Sequence, residues 1–172
     1  NGLTTISDEA AKVLGKKLSG NLPALASLSP EVAKVLAGSR GHLVLNSLTT
    51  LSDEAAKALT EDAQNRGDLF LNGLTKLSPE TARAICRREG DLYLNGLTTI
   101  SDETLKALAE HKAHPHHAKP LVYFGSLTTL SDEGATVLAA WPKWSGELPA
   151  MTTLSEHTAT ALAASRNWKG TA

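Results

Sequence analysis

Residues 68–85 read DLFLNGLTKLSPETARAI, a stretch whose period changes midway. Leu69, Phe70 and Leu71 alternate as a short strand does. The turn pair Asn72-Gly73 follows, and because no second alternating run comes after it, the pair bends the chain out of a sheet instead of closing a hairpin. Leu77 then leads into Ser78-Pro79-Glu80, a helix start. The serine hydroxyl can accept from the first free amides, and proline sits at the first helical position where its missing N–H costs nothing. Ala82 and Ile85 supply an apolar face for a helix of two or three turns.

The same strand, turn and helix recur. Close copies are HLVLNSLTTLSDEAAKAL at 42–59 and DLYLNGLTTISDETLKAL at 91–108, and looser ones lie at 1–14, 21–36, 121–138 and 147–162. The apolar residue before each serine is Ile6, Leu28, Leu51, Leu77, Ile100, Leu130 or Leu154, at steps of 22 to 30 residues, too short for a two-helix repeat. Ser52, Ser78, Ser101 and Ser131 hold the capping place, Pro30 and Pro79 the first helical one, and Asp53, Glu54, Asp102 and Glu103 suit the positive helix end. The glutamate comes two residues after the serine, so no reciprocal capping box is expected. Such helices do not persist alone. Neighbouring copies must stabilise them, each buried leucine contributing about 1.5–3 kcal/mol.

The 172 residues suit one domain, residues 1–172, of about seven units with the first and last incomplete. A net charge of -1, from 17 basic and 18 acidic side chains, creates no field that draws nucleic acid or an anionic membrane. No apolar run is long enough to span a bilayer, so no membrane insertion is expected. Cys86 is the single cysteine, which excludes an intrachain disulfide. The glycines recur as turn residues and lack a following Gly-Lys-Ser/Thr, so no nucleotide loop and no cofactor are implied. The Asp53-Glu54 pair recurs at helix starts, which argues for structure over acid–base catalysis.

Over essentially the whole chain the unit resembles the leucine-rich-repeat family, closest to its cysteine-containing type, LxLxxCxxLTDxGLxxLA. Leu74 stands at the cysteine place, Leu77 at the buried position before the helix, and Ser78 where threonine is usual. The wording is also similar to bacterial repeat arrays of planctomycete type, LNGLTSLSDEAAKAL. The resemblance implies an α/β fold, a right-handed leucine-rich-repeat solenoid with short parallel strands on the concave side and helices on the convex side. It further implies a scaffold for contacts with another macromolecule, most simply a protein. Two departures stand out. Leu48, Leu74, Leu97 and Leu127 replace the inward asparagine of standard repeats; Asn46, Asn72 and Asn95, two residues earlier, either take over its ladder or are turn residues. Pro23 and Pro149 fall in the strand region and predict a broken or shortened strand there.

The residue between the two strand leucines is Val44, Phe70, Tyr93 or Tyr123, with Glu147 flanking, so three of the four Phe and Tyr residues share one stripe. That stripe reads either as a strip presented to a partner or as cross-strand packing. His111, His114, His116 and His117 lie in the longest step and are weak metal candidates without HExxH spacing, otherwise a solvated loop. Cys86 sits among Arg83, Arg87 and Arg88, as an activated thiol would, or as a buried small hydrophobe. Trp141 and Trp144 read as a covering loop, or as a stacking platform for a sugar or peptide.

The expected function is a non-catalytic module that binds another protein. The alternative is a purely structural or self-associating spacer, joined end to end; an enzyme using Cys86 or the His111 to His117 loop is not expected. Asn1-Gly2-Leu3 matches Asn72-Gly73-Leu74 but has no strand before it, and Lys169-Gly170 prepares a further strand. This suggests a longer array in which Ile6, Ala10, Val13 and Leu14 would be covered on one side only, unless the first helix itself serves as a cap.

Overall fold

A computed structural model describes residues 2–39, 41–61, 67–110 and 121–170. Seven helices run through them: α1 Asp8–Leu14, α2 Pro30–Ala37, α3 Asp53–Leu59, α4 Pro79–Ile85, α5 Asp102–Ala109, α6 Asp132–Ala140 and α7 Glu156–Ala163. Four strands, β1 Leu43–Val44, β2 Leu69–Phe70, β3 Leu92–Tyr93 and β4 Val122–Tyr123, form one parallel sheet in the order β1-β2-β3-β4. The fold is therefore α/β. Each helix packs on the next in the chain, from α1 on α2 through α6 on α7.

All seven helices begin on a serine, and every one of those hydroxyls accepts the amide three residues on. The cap is thus a local property of the sequence. The same hydroxyl also donates backward to the acid at the first position of the preceding helix. Ser29 reaches Asp8 at 2.5 Å, Ser78 reaches Asp53 at 2.6 Å, Ser155 reaches Asp132 at 2.7 Å, and Ser131 reaches Asp102. Where the preceding helix starts with Pro30 or Pro79, that acceptor does not exist. At the second of these joints Thr104 Oγ1 donates to the Leu77 carbonyl at 3.1 Å instead.

Side chains of the leucine frame fill the space between sheet and helices. Leu43, Leu45 and Leu48, with their counterparts Leu92, Leu94 and Leu97, are fully buried, as are Leu59 and Ile85 on the helices. The residue before the helix is less enclosed than its family place implies: Leu77 is half-buried and packs on the edge of the core. The turns after β2 and β3 bring consecutive units into backbone contact. A Cβ at Gly96 would lie 2.2 Å from the Asn72 carbonyl oxygen, so only glycine fits there.

The strand is shortened in the units of Pro23 and Pro149, as expected: both prolines sit in the turn, Pro23 at the place of Asn46, and the pairing in these units is reduced to single bridges, Asn21 with Val44 and Trp144 with Val122. The first helix is open along much of the face expected to be covered on one side only. Ala11 is its buried residue, Ile6 is half-buried, and Ala10, Val13 and Leu14 are exposed, Val13 at 87%. Their equivalents Ala55, Ala58 and Leu59 in α3 are buried, and α2 of the preceding unit packs on that helix.

Candidate functional site

Because side chains alternate along a strand, burying Leu69 and Leu71 turns Asp68, Phe70 and Asn72 toward the other face of the sheet. Parallel pairing in matched register, Leu69 with Leu92 and Phe70 with Tyr93, then lines these residues up across strands as three columns.

The central column is Val44, Phe70, Tyr93 and Tyr123, the stripe expected from the sequence, and the register brings all four together. The Phe70 and Tyr93 rings stack with centroids 4.3 Å apart and 6° between planes, and Tyr93 and Tyr123 stack at 4.6 Å and 2°. All three are half-buried. At one end the His42 ring meets Phe70 edge-on at 6.2 Å. Burial is the first cause that pushes the Tyr93 hydroxyl up to about 12, followed by Tyr123, Asp91 and Asp68. Tyr123 is also raised, by burial first and then Asp91.

The second column, His42, Asp68 and Asp91, precedes the strands. Asp68 Oδ1 accepts the Asp91 amide and Asp91 Oδ1 the Leu121 amide, both at 2.9 Å. His42 Nδ1 lies 3.1 Å from both the Asp68 amide nitrogen and Asp68 Oδ2. It accepts from the first only when neutral and donates to the second only when that nitrogen carries a proton, so the two contacts alternate. The third column is Asn46, Asn72 and Asn95. Each of the first two accepts the backbone amide of the next, at 3.3 and 3.2 Å, so these asparagines form a ladder as well as a turn. It ends at Gly125.

The Asp column was not foreseen, although Asp68 and Asp91 both stand directly before a strand, which is the signal that marks them. Nor was the Lys169–Glu147 ion pair at 3.1 Å, whose charges both act on Tyr123.

The remaining candidates are not assembled into chemistry. Cys86 is buried, its Sγ toward the Leu108 carbonyl at 3.6 Å, and burial pushes its thiol up to about 12, opposite to an activated nucleophile. Trp141 and Trp144 are buried, Trp141 against Phe124 and Trp144 against Trp168, so neither offers a free ring face. His111, His114, His116 and His117 lie outside the described residues. Among those described, no group of three or more His, Cys, Asp or Glu is placed to hold a metal, and no helix is long and apolar enough to cross a membrane. An open depression of about 500 Å³ lies over Asp132, Ser155, Glu156, His157 and Thr160, and one of its two carboxylates, Asp132, is already held by the Ser155 and Thr158 hydroxyls.

In comparisons with known proteins, no family model matches the chain and no curated protein sequence matches it.

Proposed function

We propose that this chain is a non-catalytic binding module of leucine-rich-repeat type that engages a protein through the outward face of its sheet. In this reading the units form a right-handed solenoid, with the strands on the concave side and the helices on the convex side. The parallel order β1-β2-β3-β4 with a helix in each connection supports it, since such crossovers are right-handed in nearly all proteins. One observation carries the functional part: Phe70, Tyr93 and Tyr123, half-exposed and in line, present a contiguous aromatic strip on a face that no helix among the described residues covers.

A capture experiment comparing the native module with Phe70→Ala/Tyr93→Ala tests this placement. Loss of a partner verified with the native module is expected while circular dichroism remains unchanged. Undiminished capture of that partner by the double variant would move the site elsewhere.

A second reading, self-association, is favoured by the apolar patch of Leu3, Val13 and Leu14 on and beside α1. Solution scattering across a concentration series distinguishes it, since end-to-end joining lengthens the particle as concentration rises.

A further inference from the structure

We infer that the occupant of the sheet face is an extended peptide segment bearing lysine or arginine side chains, received by Asp91 and Asp68. This rests on the binding reading above and adds the chemistry of the partner.

The geometry first removes flat ligands from the middle of the strip. Both faces of the Tyr93 ring are covered, by Phe70 at 4.3 Å and Tyr123 at 4.6 Å, so no third ring or sugar can stack on it. What the strip offers is ring edges and two phenol oxygens. Sheet backbone is not on offer either, because the N–H groups of Leu69, Leu71, Leu92 and Leu94 all bond to the adjacent strand or segment. A partner is therefore held through the side chains of the three columns.

Charge then selects the partner. The ionisable groups acting on Tyr93 are Asp91, Asp68 and Tyr123, none of them a cation. Among the described residues beside the strip, Lys169 is engaged with Glu147, and His42 lies against Asp68. Among the described residues, an anionic ligand on this face would meet the carboxylates of Asp68 and Asp91. Asp68 and Asp91 each spend Oδ1 on a neighbouring amide, which keeps the carboxylates fixed in place; Asp68 Oδ2 faces His42, so Asp91 is the main receiver of a cation. The columns flank the aromatic strip two residues away on either side, roughly 6.6 Å at strand rise. A segment crossing the strands can thus set cationic side chains on the aspartates, aliphatic stems on the ring edges, and its carbonyls toward the asparagine amides.

The test is fluorescence anisotropy with three short labelled peptides, alternating Arg-Val, Ser-Val and Glu-Val, on the native module and three variants with unchanged circular dichroism. The Arg-Val peptide is expected to bind best. Asp91→Asn, which keeps an oxygen for the Leu121 amide, should weaken it about tenfold. Glu103→Gln, the same charge change on an exposed α5 residue, should leave it unchanged, and Phe70→Ala/Tyr93→Ala should abolish it. Equal weakening by Glu103→Gln would show non-specific charge attraction and overturn the inference. Tighter binding of Ser-Val or Glu-Val, lost in Phe70→Ala/Tyr93→Ala, would overturn the choice of partner while sustaining the sheet face as the site. Binding of all three peptides unaffected by Phe70→Ala/Tyr93→Ala would bring down both.

Discussion

Residues 2–9 and 96–103 have the same sequence, GLTTISDE, and occupy different surroundings. Locally they behave alike. Ser7 and Ser101 each cap a helix by accepting the amide three residues on, at 3.2 Å in both, and Asp8 and Asp102 each accept the next unit's serine. Their burial is unlike. Leu3 is 40% exposed whereas Leu97 is fully buried. A Cβ added at Gly2 would meet nothing within 4 Å, and one at Gly96 would strike the Asn72 carbonyl. Capping belongs to the unit that carries the sequence; burial belongs to the unit before it.

Paired substitutions break this comparison most sharply at the leucine. Leu97→Ala should cost about 2–5 kcal/mol by transfer and cavity formation, while Leu3→Ala should cost under about 0.5 kcal/mol. Chemical denaturation of both variants measures the contrast, and similar losses would mean that the first unit is as well enclosed as the fifth. The glycine pair comes next. Gly96→Ala should destabilise by about 1–3 kcal/mol because backbone must move, and Gly2→Ala should be neutral in the same assay.

Serine substitutions separate the cap from the link between units. Ser52→Ala removes a cap alone, since Pro30 precedes it, at about 1 kcal/mol. Ser131→Ala also removes the bond to Asp102 and should cost roughly 1 kcal/mol more. A double-mutant cycle with Asp102→Asn isolates that difference, and zero coupling would make the link irrelevant to stability.

Acid titration gives the smallest effect. Hydrogen bonds from Ser78 and then Thr81 hold the Asp53 carboxyl below its ordinary 3.8, and Ser155 and then Thr158 do the same for Asp132. A carboxyl with a depressed folded-state value adds stability above its ordinary value and loses it as pH falls through the folded one. The native module should therefore lose stability as pH drops below that range, and Ser78→Ala/Thr81→Val should lose less over the same interval. Parallel acid limbs for the two proteins would show that the hydroxyls do not favour the charged form.

The serine caps, the leucine frame and the aromatic stripe were legible because each depends on residues inside one unit. The links between units were not. Asp53 and Asp102 read as helix-start charges, and nothing within their own unit reveals that each accepts a hydroxyl from a residue more than twenty positions later. The hint was the alternation of Ser-Asp with Ser-Pro over the first five helix starts, and its meaning needs the distance between adjacent helices. The asparagine column stayed ambiguous for the same reason, since a turn residue and a ladder residue look identical until the next strand is in register.

The stacked rings also give the molecule two separate chromophores. Its only two tyrosines, Tyr93 and Tyr123, lie face to face on β3 and β4, whereas all three tryptophans lie in the last third and two of them, Trp144 and Trp168, stack at 5.8 Å. Near-ultraviolet dichroism from the tyrosine pair reports the alignment of the central strands, and tryptophan emission reports the C-terminal units. Melting curves recorded in the two signals superimpose when the chain unfolds as one body, and separate when one end comes apart before the middle.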